Sequence, residues 1–164
     1  MKKESLSLVQ QCLIIAQNAH GAQVDKGGEI YILHPLLVSM MVKAHERSLL
    51  KRLGAALSEE ELEQAQAVAL LHDVLEDCPI TYDDLLNSHH LPKAVCDAVL
   101  ILSKTEGQDY FTYLERVKAN KLSRIVKLAD LLDNANLDRL PKVTEEDRKR
   151  KLKYQKAMLM LWQD

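Results

Sequence analysis

Apolar residues Leu6, Val9, Leu13 and Ala16 recur at steps of three and four, which predicts a first helix over residues 6–20, stopped by Gly21. The pattern then lapses into Asp25, Lys26, Gly27, Gly28 and Glu29, a polar loop rich in turn formers. Pro35 suits a helix start, since its missing N–H is one that the first turn leaves free, and a helix is predicted from 36 to about 46 with His34 at its mouth. Ser58-Glu59-Glu60-Glu61 has capping-box spacing ahead of an Ala- and Leu-rich helix to about residue 75, with Pro79 beyond. Equivalent signals place a short helix after Thr81, one from Pro92 to about 102, and one over about 109–119. Another is expected from 122 to about 137, and a last one capped at Thr144 over about 144–162. Short connections imply antiparallel helical neighbours.

Composition sharpens this into an all-α, single-domain helical bundle over 1–164. At 164 residues one core can bury roughly 70% of the surface the unfolded chain exposes. Hydrophobic residues make up 47% and aromatics 4%, so that core must be built from Leu, Ala, Val, Ile and Met. Useful apolar/polar alternation is absent, and five glycines and four prolines are too few for a domain of many tight turns, which excludes an all-β fold. No repeat, low-complexity segment or linker divides the chain.

The formal charge of −2 provides no global field to draw the molecule onto nucleic acid, so any phosphate affinity must be local. No apolar stretch suffices to span a bilayer, and the polar residues Gln10, Gln11, Gln17 and Asn18 interrupt anything resembling a signal-peptide core. Cys12, Cys78 and Cys96 form no CxxC pair and suggest a reducing, cytoplasmic setting rather than a disulfide framework or thiolate zinc site.

The chemistry concentrates in Leu70-Leu71-His72-Asp73-Val74-Leu75-Glu76-Asp77, four ionisable side chains at the end of an apolar helix, an expensive placement without partners. Adjacent His72 and Asp73 point about 100° apart on a helix, so both reach one ion only off its end or flank. Mixed nitrogen and oxygen ligands suit manganese, iron or zinc. His34 and Asp130, the latter interrupting an apolar stripe, are the best candidates to complete the shell. Glu76 and Asp77, one turn beyond His72 and Asp73, are candidates for orienting water. A divalent ion lowers the pKa of water and offsets phosphate charge, so this set suffices for phosphoester or pyrophosphate hydrolysis.

These segments, with Ala19-His20, Gln23, the run Gly28-Glu29-Ile30-Tyr31-Ile32-Leu33-His34-Pro35, and Lys127-Leu128-Ala129-Asp130 with Asn134, resemble the HD-superfamily hydrolases. The likeness is to the hydrolase domain of the Rel/Spo alarmone enzymes and their stand-alone small relatives, and covers about 8–140. It implies an HD-type bundle in which His34, His72, Asp73 and Asp130 hold manganese and Glu76 and Asp77 assist the attacking water. The implied reaction removes pyrophosphate from the ribose 3′ position of guanosine tetra- or pentaphosphate, with Asn134 near the ribose and Tyr31 and Lys26 among the substrate contacts. Asp25 stands where these enzymes usually carry an arginine against guanine, and an acid cannot stack as a guanidinium does. Ile30, Cys78 and Ala135 likewise replace a common proline, threonine and arginine. Another nucleotide or phosphoester substrate, or a non-catalytic nucleotide sensor, are the rival readings.

Lys26, Lys104, Arg124 and Lys127 are candidate phosphate contacts. His20, His45, His89 and His90 read as structural, and Asp133 and Asn134 read equally well as helix-end polar groups or as site residues, Asn134 being favoured. The basic run Arg148-Lys149-Arg150-Lys151-Leu152-Lys153 reads as a solvated helix face. The apolar end, Met158 to Trp162, reads as core or as a contact in a homo-oligomer.

Overall fold

Caps, more than apolar stripes, fix where the helices begin. The computed structural model describes residues 5–52 and 56–163, without the side chains at 45–47, 49–52 and 139, so the side chain of His45 lies outside the described residues. Helix α1 (Leu8–His20) starts two residues later than its periodicity suggests, because Ser7 and Gln10 form a reciprocal capping box. It stops at Gly21, whose φ of +53° any Cβ-bearing residue would resist.

Helix α2 (Leu33–Arg52) begins three residues earlier and runs about six residues further than predicted. The Leu33 and His34 N–H groups donate to the Ile30 and Tyr31 carbonyls, so the chain is already turning before Pro35. His34 therefore sits inside the first helical turn rather than outside it. Pro35 remains acceptable there because the first four N–H groups have no intrahelical acceptor.

Helix α3 (Glu59–Leu71), capped by the Ser58–Glu61 box, is the buried axis of the molecule. Ala65 and the run Ala67 to Leu71 are all buried, and α1, α2, α5 and α7 pack around them. It ends at Leu71 instead of near 75; after a break at His72 and Asp73 the chain resumes as α4 (Val74–Asp77). A π turn over Asp84–Ser88 follows the Thr81–Asp84 cap. Helices α5 (Lys93–Leu102) and α6 (Tyr110–Lys118) precede α7 (Lys121–Asn134), which stops three residues short of the predicted 137 and is followed by a 3-10 turn over Leu137–Arg139. Helix α8 (Glu145–Trp162), with a Thr144–Asp147 box, packs on α6 and α7.

The all-α expectation holds: among the described residues the β pairing is one isolated bridge, Val24 to Ile30, closing the polar loop. The core is aliphatic, with Tyr113 the buried aromatic and its hydroxyl donating to the Leu102 carbonyl at 2.7 Å. No described helix is long and apolar enough to cross a membrane.

Candidate active site

The break between α3 and α4 removes the obstacle the sequence posed to His72 and Asp73 acting together as ligands. With Asp73 at φ −102°, ψ −5°, the helical path is interrupted at the doublet, and His72 Nε2 comes within 2.9 Å of Asp73 Oδ2. His72 Nδ1 lies 2.7 Å from the Ala69 carbonyl oxygen. A carbonyl can only accept, so Nδ1 carries a proton and, in the neutral ring, Nε2 presents its lone pair. That nitrogen is buried and has no hydrogen-bond partner among the described residues; its approach to Asp73 lacks the alignment a hydrogen bond needs.

His34 arrives from α2 in the same orientation. Its Nδ1 is 2.7 Å from Asp133 Oδ2, and its Nε2 faces Asp130 Oδ1 at 3.2 Å and Asp73 Oδ2 at 3.9 Å. Three ligand atoms, from His34, His72 and Asp130, lie within 4.8 Å of one another. Two imidazole lone pairs and a buried carboxylate, with one nitrogen otherwise orphaned, form a donor set that fits a divalent cation. Asp73, beside both imidazoles, is placed to add a fourth ligand.

One turn of α7 supplies the rest. Asp130 accepts from Lys127 Nζ at 2.8 Å through Oδ2 and from the Asn134 amide at 2.5 Å through Oδ1. The Tyr31 hydroxyl donates to Asp73 Oδ2 at 2.5 Å and approaches Asp77 Oδ2 at 3.5 Å. Glu76 Oε2 accepts from the Lys104 backbone N–H at 3.0 Å, its one hydrogen bond among the described residues.

Electrostatics reflect this crowding. Burial works against protonation of His72 and His34, yet the carboxylates around them outweigh it: both imidazoles are raised, His72 well above its ordinary value. Burial opposes ionisation of Asp130 too, but Lys127 and the two imidazoles hold its carboxyl well below the usual range. Asp73, against the same opposition from burial, is lowered to about 2 by His72. Asp77 is raised, by burial first and then by the charge of Asp73.

The cluster lies in a cleft of about 480 Å³. Lys26, Tyr31, His34, His72, Asp73, Glu76, Asp130 and Asn134 all line it, as do Lys104 and Lys127; Asp77 does not. Arg124 is turned elsewhere, its guanidinium donating to the Leu161 and Gln163 carbonyls at the end of α8. Asp25 lines the cleft at a bend it builds itself, Oδ1 accepting from the Gly27 N–H at 2.7 Å and the Glu29 N–H at 3.1 Å. His20 is buried against Gln23 and the Tyr31 ring and does not reach the cluster.

The basic run is not wholly a solvated face. Arg150, Lys153 and Tyr154 line the far wall, Lys153 Nζ standing 4.0 Å from the Tyr110 ring centroid and Arg150 pairing with Asp147. Their spacing of three and four residues puts them on one helical face, a signal readable once the helix is oriented. Tyr154 is a cleft residue that the sequence leaves unmarked, Arg150 and Lys153 read there only as solvated, and Asp133, left open between a helix-end group and a site residue, meets His34.

An all-α bundle with a His–Asp doublet at the broken end of its central helix, completed by a histidine and an aspartate from flanking helices, is an HD-type fold. No family model matches the chain. It is similar to the guanosine-3′,5′-bis(diphosphate) 3′-pyrophosphohydrolase of Vibrio cholerae, 32% identical over 106 residues, 65% of this chain and 13% of that protein. It is also similar to the bifunctional (p)ppGpp synthase/hydrolase SpoT of Escherichia coli K12, 30% identical over 107 residues, again 65% of this chain and 13% of that protein. The chain thus spans about an eighth of the length of these curated relatives. A solved structure described as a metazoan ortholog of SpoT that hydrolyzes ppGpp and plays a role in starvation responses shares the fold, at a TM-score of 0.71 and 21% identity, over 98% of this chain and 88% of that one.

Proposed function

We propose that this chain is a metal-dependent phosphohydrolase that removes pyrophosphate from the 3′ position of a guanosine 3′,5′-bis(diphosphate)-like nucleotide. The observation that carries the reading is the convergence of two imidazole Nε2 lone pairs and the carboxylates of Asp73 and Asp130 beneath a cleft walled by lysines. Similarity to the curated pyrophosphohydrolases supports the substrate class.

His34, His72, Asp73 and Asp130 would hold the ion, with manganese favoured by the resemblance and iron or zinc compatible with the donors. When bound, that ion offsets phosphate charge and lowers the pKa of water. Glu76 has an oxygen available to orient the attacking water and take its proton, while Asp77, linked to Asp73 through Tyr31, supports the arrangement. Water adds to the 3′-linked phosphorus, the bond to the ribose 3′-oxygen breaks, and that oxygen leaves with a proton, giving a nucleoside 5′-diphosphate and pyrophosphate. Lys127 and Lys104 meet phosphate near the cluster, and Lys153 and Arg150 lie where a second phosphorylated group of the same substrate would reach. Three free cysteines suit a cytoplasmic enzyme.

Asp25 favours a second reading, the same chemistry on another nucleotide. Because its carboxylate closes its own loop, no guanidinium at that position could take over without releasing two N–H groups.

The test incubates manganese-reconstituted protein with guanosine tetraphosphate beside a nucleotide and phosphoester panel, products being separated by chromatography. Pyrophosphate release, lost in Glu76→Gln, is expected. Turnover of another panel member alone would move the substrate, and tight nucleotide binding without turnover under any divalent ion would replace the enzyme with a sensor.

A further inference from the structure

We infer that Asp133 is a positioning residue for the metal centre, the anion that fixes the tautomer and aim of His34. This inference rests on the metal reading above. Asp133 is 7% exposed and its Oδ2 lies 2.7 Å from His34 Nδ1, itself on a side chain 8% exposed. A carboxylate only accepts, so Nδ1 holds a proton and, in the neutral ring, the Nε2 lone pair is directed toward Asp130 and Asp73.

The two imidazoles are not equivalent in this respect. His72 donates to the neutral Ala69 carbonyl within its own helix, and that acceptor is secured by the backbone. His34 is on α2, has no such carbonyl, and is oriented across the interface by a charged side chain of α7, ninety-nine residues away in sequence. An anionic acceptor makes an imidazole a stronger donor to a cation than a carbonyl does. One helical turn of α7 consequently carries a ligand, Asp130, its amide partner, Asn134, and the group that holds the opposing ligand, Asp133. A divalent ion with Asp73, Asp130, Asp133 and Lys127 sums to zero formal charge, whereas omitting Asp133 leaves +1.

The experiment measures Mn2+ affinity by isothermal titration calorimetry for the full chain, Asp133→Asn, His34→Ala and the double variant. Unfolding of each metal-free protein is followed in chelator. Asp133→Asn is expected to weaken Mn2+ tenfold to a hundredfold with little change in the metal-free midpoint. In the His34→Ala background the same substitution should have no further effect on affinity. Equal weakening in both backgrounds, or undiminished affinity in Asp133→Asn, overturns the inference while leaving the metal site standing; failure of the unmodified chain to bind any divalent ion overturns both. Nitrogen-15 spectra of the unmodified chain, recorded at a pH high enough to make the imidazole neutral, provide a check independent of how the variants fold: His34 must be the Nδ1–H tautomer, and an Nε2–H tautomer refutes the assignment.

Discussion

Replacing Asp130 with asparagine preserves shape and removes one charge, so it measures what the buried carboxylate contributes without any ion. Lys127 Nζ is 2.8 Å from Asp130 Oδ2, with side chains 18% and 5% exposed. At an effective dielectric of about 20 their attraction is roughly 6 kcal/mol. Breaking such a pair from one side typically costs about 3–5 kcal/mol, because the other charge stays buried. Lys127 retains some solvent contact, which sets the expected loss near ~3 kcal/mol from this pair alone. The imidazoles add a pH-dependent part. Asp130 is lowered from 3.8, so its contribution is present above that value and lost as pH falls through the lower folded value. His34 and His72 are raised from 6.5, so theirs is complete below 6.5 and lost as pH rises through the higher folded values. All the charges coexist between about pH 4.5 and 6.5, where the gap between the unmodified protein and Asp130→Asn should reach ~4–5 kcal/mol, shrinking toward ~3 as rising pH removes the imidazole protons. Urea unfolding in chelator, followed by circular dichroism, should show midpoints separated by about 1.5–2.5 M at a slope of roughly 2 kcal/mol/M. A gap below about 1 kcal/mol, or one that grows with pH, would refute this account of the cluster.

Other expectations follow from the same geometry. Mn2+ affinity of the unmodified chain should fall steeply as pH drops below the raised imidazole range, since both Nε2 lone pairs must be unprotonated to bind, and calorimetry at several pH values reads this directly; flat affinity from pH 5 to 8 would contradict it. Glu76→Gln retains an acceptor for the Lys104 N–H and should bind Mn2+ within about threefold of the parent while losing roughly 10²–10⁴-fold in kcat. Lys153→Ala should raise KM about tenfold, or ~1.4 kcal/mol, with kcat nearly constant, and unchanged KM would remove α8 from the substrate wall. Leu70→Ala, in the fully enclosed centre of α3, should cost about 2–5 kcal/mol in the same urea assay.

What the sequence made legible divides along a physical line. Short-range rules located the helices: Ser58, Thr144 and Gly21 act where their chemistry requires, and the core is aliphatic as composition demands. Errors fell at ends decided by tertiary demand, α3 stopping at Leu71 to turn the His72–Asp73 doublet and α2 starting early to admit His34. The candidate metal residues were readable because a charge within an apolar stripe is anomalous along the chain itself. Asp133 and Asn134 present no such anomaly, standing at a helix end where polar groups are ordinary. Their difference exists only across the α2–α7 interface: Asp133 meets His34 from α2, and Asn134 turns back to Asp130 on its own helix. Arg150 and Lys153 follow the same logic, since a cationic helix face has no meaning until packing of α8 on α6 and α7 aims it at the cleft. The residues that could ligate were thus marked by their local cost, while those that would orient the ligands or that extend the cleft wall are placed only by the partner helix.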